Sequence, residues 1–252
     1  MDLSVLIGMI GALTSISVGD IMEGGNPLHL LHFTSFLIVI PTAMLAAITA
    51  TESHLVKAAF KEIKLVFKKL PINFEARIDE LIEYAIVVKK QGVLALEKDI
   101  QNINHDFLKE ALSMVVDGSK EEQIEENLEP IIEETEHYYH GASHYWLLAG
   151  ETAPTMGLVG AVLGLILALQ KLDNPAEMAA GIAGAFTATV TGIAGSYMFL
   201  GPWGHKLKAK AHLVIKEQQL IVAACKGMAR GDAPGELKLK LTKMVTAMPY
   251  KV

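Results

Sequence analysis

Between Glu151 and Gly204 the chain carries two apolar runs joined by a short polar link, and this pair constrains the fold more than any other feature. Each run is long enough to cross a bilayer, which takes about 20 residues of helix. Small residues punctuate both. Ala153, Gly157, Gly160, Gly164 and Ala168 recur at helical spacing in the first, and Gly181, Gly184, Ala188, Gly192 and Gly195 in the second. Each predicted helix therefore has one smooth face. In lipid, such faces let backbones approach closely enough for van der Waals packing to hold helices together. Two partners fit them: the other helix of the same chain, or a helix of another chain. The opposite faces, with Leu158, Val162, Leu165, Ile166, Ile182, Ile193 and Phe199, suit lipid or neighbouring subunits.

Two more spans precede this pair. The N-terminus starts acidic and runs apolar to about Ser17, which suits a retained span better than a cleaved signal. Asp20, Glu23 and Gly24-Gly25-Asn26-Pro27 then predict a turn, and residues 28–50 a second span with Pro41 inside it. His29 and His32 stand one turn apart with no third ligand nearby, so they read as interfacial residues rather than a metal site. Orientation comes from the basic residues. Eleven of the 22 Lys and Arg fall between Lys57 and Lys120 and ten between Lys206 and Lys251, which leaves only Lys171 elsewhere. By the positive-inside rule both termini and the large loop are cytoplasmic.

The expectation is an all-α integral membrane protein with four transmembrane helices. It has a transmembrane hairpin over 1–53 (spans about 3–19 and 28–50) and a cytoplasmic helical domain over 54–145. A second hairpin covers 146–204 (spans about 150–170 and 178–200), followed by a cytoplasmic tail over 205–252. Within the cytoplasmic domain, residues 55–67 continue the second span as far as Leu70-Pro71. An amphipathic helix runs from Phe74 to about Asn102 with a break at Gly92. Further helices cover 107–116 and, from Ser119 onward, a stretch that continues through Tyr138-Tyr139 and Tyr145-Trp146 into the third span. Residues 120–136 hold eight glutamates against one lysine, the pattern of a solvated helix face. The single cysteine, Cys225, builds neither a disulfide framework nor a metal set.

There is no P-loop, nucleophile elbow, zinc spacing or dinucleotide fingerprint, so no enzyme activity, no cofactor and no nucleic-acid partner is expected. Within the membrane the telling gap is charge. A proton or cation path needs an ionisable group at depth, and here Glu151 and Asp20 lie only at the edges of spans. Hydroxyls are present instead, at Thr155, Thr187, Thr189, Thr191 and Ser196. Each either wets a passage or bonds back to its own helix. Ion conduction by such a chain requires a carboxylate from another chain.

Several motifs taken together resemble a known family. They are Ala153-Pro154-Thr155-Met156-Gly157-Leu158-Val159-Gly160 with Gly164, then Thr189-Val190-Thr191-Gly192 with Pro202 just beyond, and the segment Lys89-Lys-Gln-Gly-Val-Leu-Ala-Leu-Glu97. The chain resembles the MotA/PomA family of flagellar motor stator subunits, related to the ExbB/TolQ proton channels. The resemblance implies a homo-oligomer, a pentamer, around a MotB-type single-span partner that supplies the ion-binding aspartate. It also implies that the ring works against the rotor protein FliG, with membrane lipid outside and protons as the transported ion.

By the same resemblance, Pro154 and Pro202 are the coupling prolines of the ion path, although each also has an ordinary reading, as the start and the stop of a helix. Lys89 and Glu97 match the rotor-contact positions. Lys89 stands where the family often has arginine, which keeps the charge but loses the planar fork. Thr155, Ala161, Ala188 and Thr189 line the implied ion pathway, and sodium-driven relatives carry threonine at the positions of Ala161 and Ala188, so proton coupling is implied. Two rivals remain: a three-span ExbB/TolQ-type energiser of an envelope-spanning partner, and a non-conducting membrane scaffold.

Overall fold

The structure is a computed structural model that describes residues 2–30 and 32–246, apart from the His29 side chain, which lies outside the described residues. It is all-α, with no strand among the described residues. The helices are α1 (Leu3–Met22), α2 (Phe33–Thr49), α3 (Ser53–Phe67), α4 (Phe74–Gln91), α5 (Glu97–Ile100), α6 (Asp106–Val116), α7 (Glu121–Leu169), α8 (Pro175–Ala194), α9 (Gly201–Arg230) and α10 (Pro234–Thr246). Tight turns of 3₁₀ helix cover Pro27–Leu30 and Val93–Leu96, and a wide π turn, Gly195–Leu200, joins α8 to α9. Helix α7 carries the glutamate-rich stretch straight into the apolar run, as the sequence predicts.

Among the described residues three stretches are long and apolar enough to cross a membrane: α1, α7 and the unbroken Pro175–Arg230 helix. Helix α2 is also apolar, and its 17 residues put it at the short end of the spanning range. It begins at Phe33, later than the sequence predicts. Pro27 opens a 3₁₀ turn, and His32 caps the helix by accepting the Ser35 N–H at Nδ1, 3.3 Å away. Capping one of the orphan N–H groups at a helix start is what fixes His32.

The chain divides into two compact units, Met1–Lys69 with Tyr138–Lys210, and Leu70–His137 with Ala211–Val252. This grouping differs from the sequence reading at two places. Helix α3 belongs to the first unit because Ala58, Ala59 and Val66 are buried in one cluster with Ala142, Tyr145 and Trp146. The Trp146 indole N–H also donates to the Ala59 carbonyl at 3.1 Å. The C-terminal segment is no separate tail: Leu237 and Leu241 of α10 are fully buried in the second unit's core with Leu81, Leu112 and Ile221. Two leucines one turn apart on a short helix mark a face that has to be covered.

One buried ion pair stands beside the second core. Arg77 on α4 donates from Nε to Glu217 on α9 at 2.8 Å, and from Nη1 to Glu80 at 2.5 Å. His105 accepts the Leu108 N–H at Nδ1, which leaves its proton on Nε2, 3.8 Å from the other Glu217 oxygen. Burial works to raise the Glu217 carboxyl, but the nearby His105 ring and the Arg77 hydrogen bond outweigh it and hold the group below its ordinary value of 4.5. A carboxylate lowered on folding stabilises the folded state above its unfolded pKa, and that contribution disappears as pH falls through the lowered folded value. Glu217→Ala should therefore cost about 3 kcal/mol at neutral pH, since it leaves a partly buried guanidinium short of its partner. It should also flatten the loss of stability below about pH 4.5. Denaturant midpoints at pH 7 and pH 4 check both; parallel curves for variant and wild type would reject the assignment.

Candidate functional site

The small-residue faces of α7 and α8 meet each other. At Gly157 an added Cβ would lie 3.0 Å from the Ala188 carbonyl oxygen and 3.2 Å from the Gly192 Cα. At Gly192 it would lie 2.6 Å from the Ala153 carbonyl oxygen, and at Gly164 2.9 Å from the Ala185 nitrogen. Farther along, Gly181 faces Ala168 in the same way. Of the two partners the sequence leaves open, these contacts use the helix of the same chain. Gly184 and Gly195 turn elsewhere, toward His32 and Ile40 at α2. The face of α8 is thus shared between two neighbours, which explains why its small residues outnumber what one helix contact needs.

Neither of the two prolines starts or stops a helix here. Pro154 lies inside the 49 residues of α7, and Pro202 is the second residue of α9 in an unbroken helical stretch. Proline has no N–H for the carbonyl four residues back, and its ring crowds that carbonyl. Ahead of Pro202 the chain answers with the π turn, in which the Gly201 N–H reaches the Ser196 carbonyl five residues back. Such wide turns are rare and cluster at functional positions. Gly150, four residues before Pro154, packs against the end of that turn, where a Cβ would sit 2.9 Å from the Gly201 nitrogen. The two proline-modified turns therefore face each other at one level of the helix pair.

The four threonine hydroxyls take the second of their two readings. Thr155 donates to the Thr152 carbonyl at 2.6 Å, Thr187 to Gly184 at 2.9 Å, Thr189 to Ala185 at 3.3 Å and Thr191 to Thr187 at 2.7 Å. The four expected pathway residues do not share one open surface. Ala188 is buried against Gly157 and Gly160, Ala161 and Thr189 are partly buried, and Thr155 is exposed. At 100° per residue, Thr155 points away from the face carrying Gly157 and Gly160. Among the described residues no group of three His, Cys, Asp or Glu side chains is arranged to hold a metal ion.

At the end of the apolar run a charged tie appears that sequence reasoning missed. Lys210 is buried, yet its ammonium donates to the carbonyls of Leu65 (2.5 Å), Val66 (3.1 Å) and Lys68 (2.5 Å) at the C-terminus of α3. Cations suit that end of a helix dipole. Asp2 receives Lys206 at 3.0 Å and Lys210 at 3.1 Å. Hydrogen bonds from Ser4, Lys206 and Lys210 hold its carboxyl well below the usual carboxylate range. The acidic start of the chain is thus the counter-charge of two lysines some two hundred positions later.

The two expected rotor-contact residues are both exposed, Lys89 near the end of α4 and Glu97 at the start of α5. Lys89 is not idle: its ammonium donates to the Gly231 carbonyl at 2.7 Å. Gly231, at φ 79°, follows the last residue of α9 and lets Asp232 N–H bond back to Gly227. Lys89 therefore caps a helix C-terminus with its charge. No ion pair of Glu97 is found among the described residues.

This arrangement, an all-α chain with long apolar helices paired through glycine, has counterparts. Residues 99–219 match the MotA/TolQ/ExbB proton channel family, which gives the class. The match to motility protein A of Helicobacter pylori is 56% identity over 245 residues, 97% of this chain and 95% of that protein. The chain belongs to the motility protein A family. The Bacillus subtilis motility protein A is 33% identical over 251 residues, 98% of this chain and 92% of that one. The solved structure of C. jejuni MotAB matches with a TM-score of 0.95 at 53% identity, covering 100% of this chain and 99% of that one.

Proposed function

We propose that this chain is the ring-forming subunit of a proton-driven flagellar stator, spanning the inner membrane four times with both termini in the cytoplasm. The observation that carries the reading is the α7–α8 pair. Its helices are locked to each other by glycine, its threonine hydroxyls are bonded to their own backbones, and no carboxylate lies at depth. Such a wall guides an ion but cannot bind one, so the titrating group comes from outside the chain. The near-complete likeness to the solved C. jejuni MotAB supports a MotB-type single-span partner in that role.

In this mechanism copies of the chain, five by family resemblance, surround the partner. The partner's carboxyl is tolerated against the apolar wall while protonated and drawn to polar surroundings once it releases its proton. One elementary charge moving through 100 mV provides about 2.3 kcal/mol, so torque accumulates in small steps. The facing turns at Pro154 and Pro202 couple proton release to helix movement. Protons fit better than sodium because sodium must trade its hydration shell for several fixed oxygens, and Ala161 and Ala188 offer none.

The test is proton flux into vesicles holding the chain with its partner. Flux should require the partner's carboxyl and persist without sodium; flux that follows sodium at fixed pH and potential would remove the proton assignment. Contact with the rotor protein FliG is proposed for Lys89 and Glu97. Glu97→Lys should cut swimming several-fold with membrane levels unchanged, because exposed substitutions cost the fold little. Lys89→Glu should do the same and also loosen the α9 C-terminus by about 0.5 kcal/mol, through the lost cap. Normal swimming in both variants would place the rotor contact elsewhere.

A further inference from the structure

A groove of about 370 Å³ lies beside the π turn, walled by Val5, Gly8, Met9 and Ala12 of α1 on one side and by Tyr197, Met198, Pro202 and Trp203 on the other. Two features set it apart from the lipid-facing surface around it. Its walls are apolar along most of their length, but Ser4 and Lys206 stand at one end. The Trp203 indole N–H, at the wall, is buried and has no acceptor. A buried donor without a partner is costly, and a buried indole N–H ordinarily finds one.

Charge balance identifies what fits. Among the described residues Asp2 is the one carboxylate in contact with Lys206 and Lys210, so this cluster carries one positive charge in excess. The other partners of Lys210 are neutral carbonyls and do not remove it. The end of the spans where Lys206, Lys208 and Lys210 follow the apolar run is also where basic residues attract anionic lipid, at about 1 kcal/mol for each near the surface. We infer that the groove is a binding site for one anionic phospholipid, its acyl chain between α1 and the π turn and its phosphate oxygens at Lys206 and Ser4. Gly8 shows that the space is real: a Cβ added there meets nothing within 4 Å. Pro202 forms part of the wall, so the lipid steadies the π turn. The inference needs the chain to be a membrane protein and does not depend on rotation or on the ion carried.

The experiment reconstitutes the full-length chain into nanodiscs of phosphatidylglycerol or of phosphatidylcholine and counts lipid retained after detergent exchange by native mass spectrometry. One phosphatidylglycerol per chain should be retained, and phosphatidylcholine should not. Lys206→Gln should reduce retention at least about fivefold, the ratio that corresponds to one lysine's attraction, while Lys206→Arg keeps it. Gly8→Leu, which fills the groove, should abolish it. Equal retention of the two lipids, no retention by wild type, or retention unchanged in Gly8→Leu overturns the proposal. So does a photoreactive side chain at Ala12 that crosslinks to protein, which would make the groove a helix contact. Should Gly8→Leu fail to reach the membrane, the Gln and Arg variants of Lys206 decide alone: equal retention in both rejects the site.

Discussion

Gly192→Leu should eliminate the assembled protein from the membrane and with it all swimming. The reason is the kind of atom in the way. A Cβ at Gly192 meets the Ala153 carbonyl oxygen at 2.6 Å and the Gly157 Cα at 3.0 Å, so backbone rather than a movable side chain blocks it. Overfilling a packed interior costs 1–3 kcal/mol when side chains can shift. Here two helices have to part instead, and because van der Waals contact is what holds them in lipid, the pair loses its main attraction. The control is Gly11→Ala on α1, where an added Cβ meets nothing within 4 Å, and which should leave protein level and motility unchanged. Membrane fractionation with immunoblotting checks both. Wild-type levels of Gly192→Leu would show that α7 and α8 are not joined at this point.

That contact shows how far a sequence can be read. The spacing of Gly157, Gly160, Gly181 and Gly192 makes each smooth face visible, because helical periodicity is a local property. Which neighbour a face meets is not local, so the choice between the same chain and another chain stays open until α7 and α8 are placed side by side. The same limit hides the ties of Lys210 and Lys89. A lysine in a basic stretch reads as solvated, and nothing near Lys210 in the sequence announces that the end of α3 and Asp2 will come to it. Lys89 likewise meets Gly231 only through the fold. The grouping of α10 with the second core was legible in principle from Leu237 and Leu241, whose spacing marks one buried face. Pro202 is an intermediate case: the sequence announces a break, but whether the helix stops or widens depends on what holds the residues beyond it.

What holds them sets the expected result for Pro202→Ala, loss of at least about nine-tenths of motility with membrane levels unchanged. Alanine is about 3 kcal/mol better than proline inside a helix and restores an N–H, so it favours the regular α pattern over the π turn. Removing the one extra residue of the turn would rotate everything beyond it by about 100°. That rotation is resisted. Trp203 packs edge to face on Phe67, Trp146 and Phe199, with ring centres 6.0, 5.5 and 6.1 Å away, and Lys206 and Lys210 are tied to Asp2. Under the proposed mechanism the π turn is one of the two coupling turns, and an added preference of about 3 kcal/mol for the regular pattern shifts the ratio of the two patterns more than a hundredfold. The variant should therefore assemble but rotate poorly or not at all. Tethered-cell rotation measured beside membrane levels provides the check. Rotation at wild-type speed would reduce Pro202 to a structural accommodation, and loss of the protein itself would mean that the π turn is needed for assembly rather than for coupling.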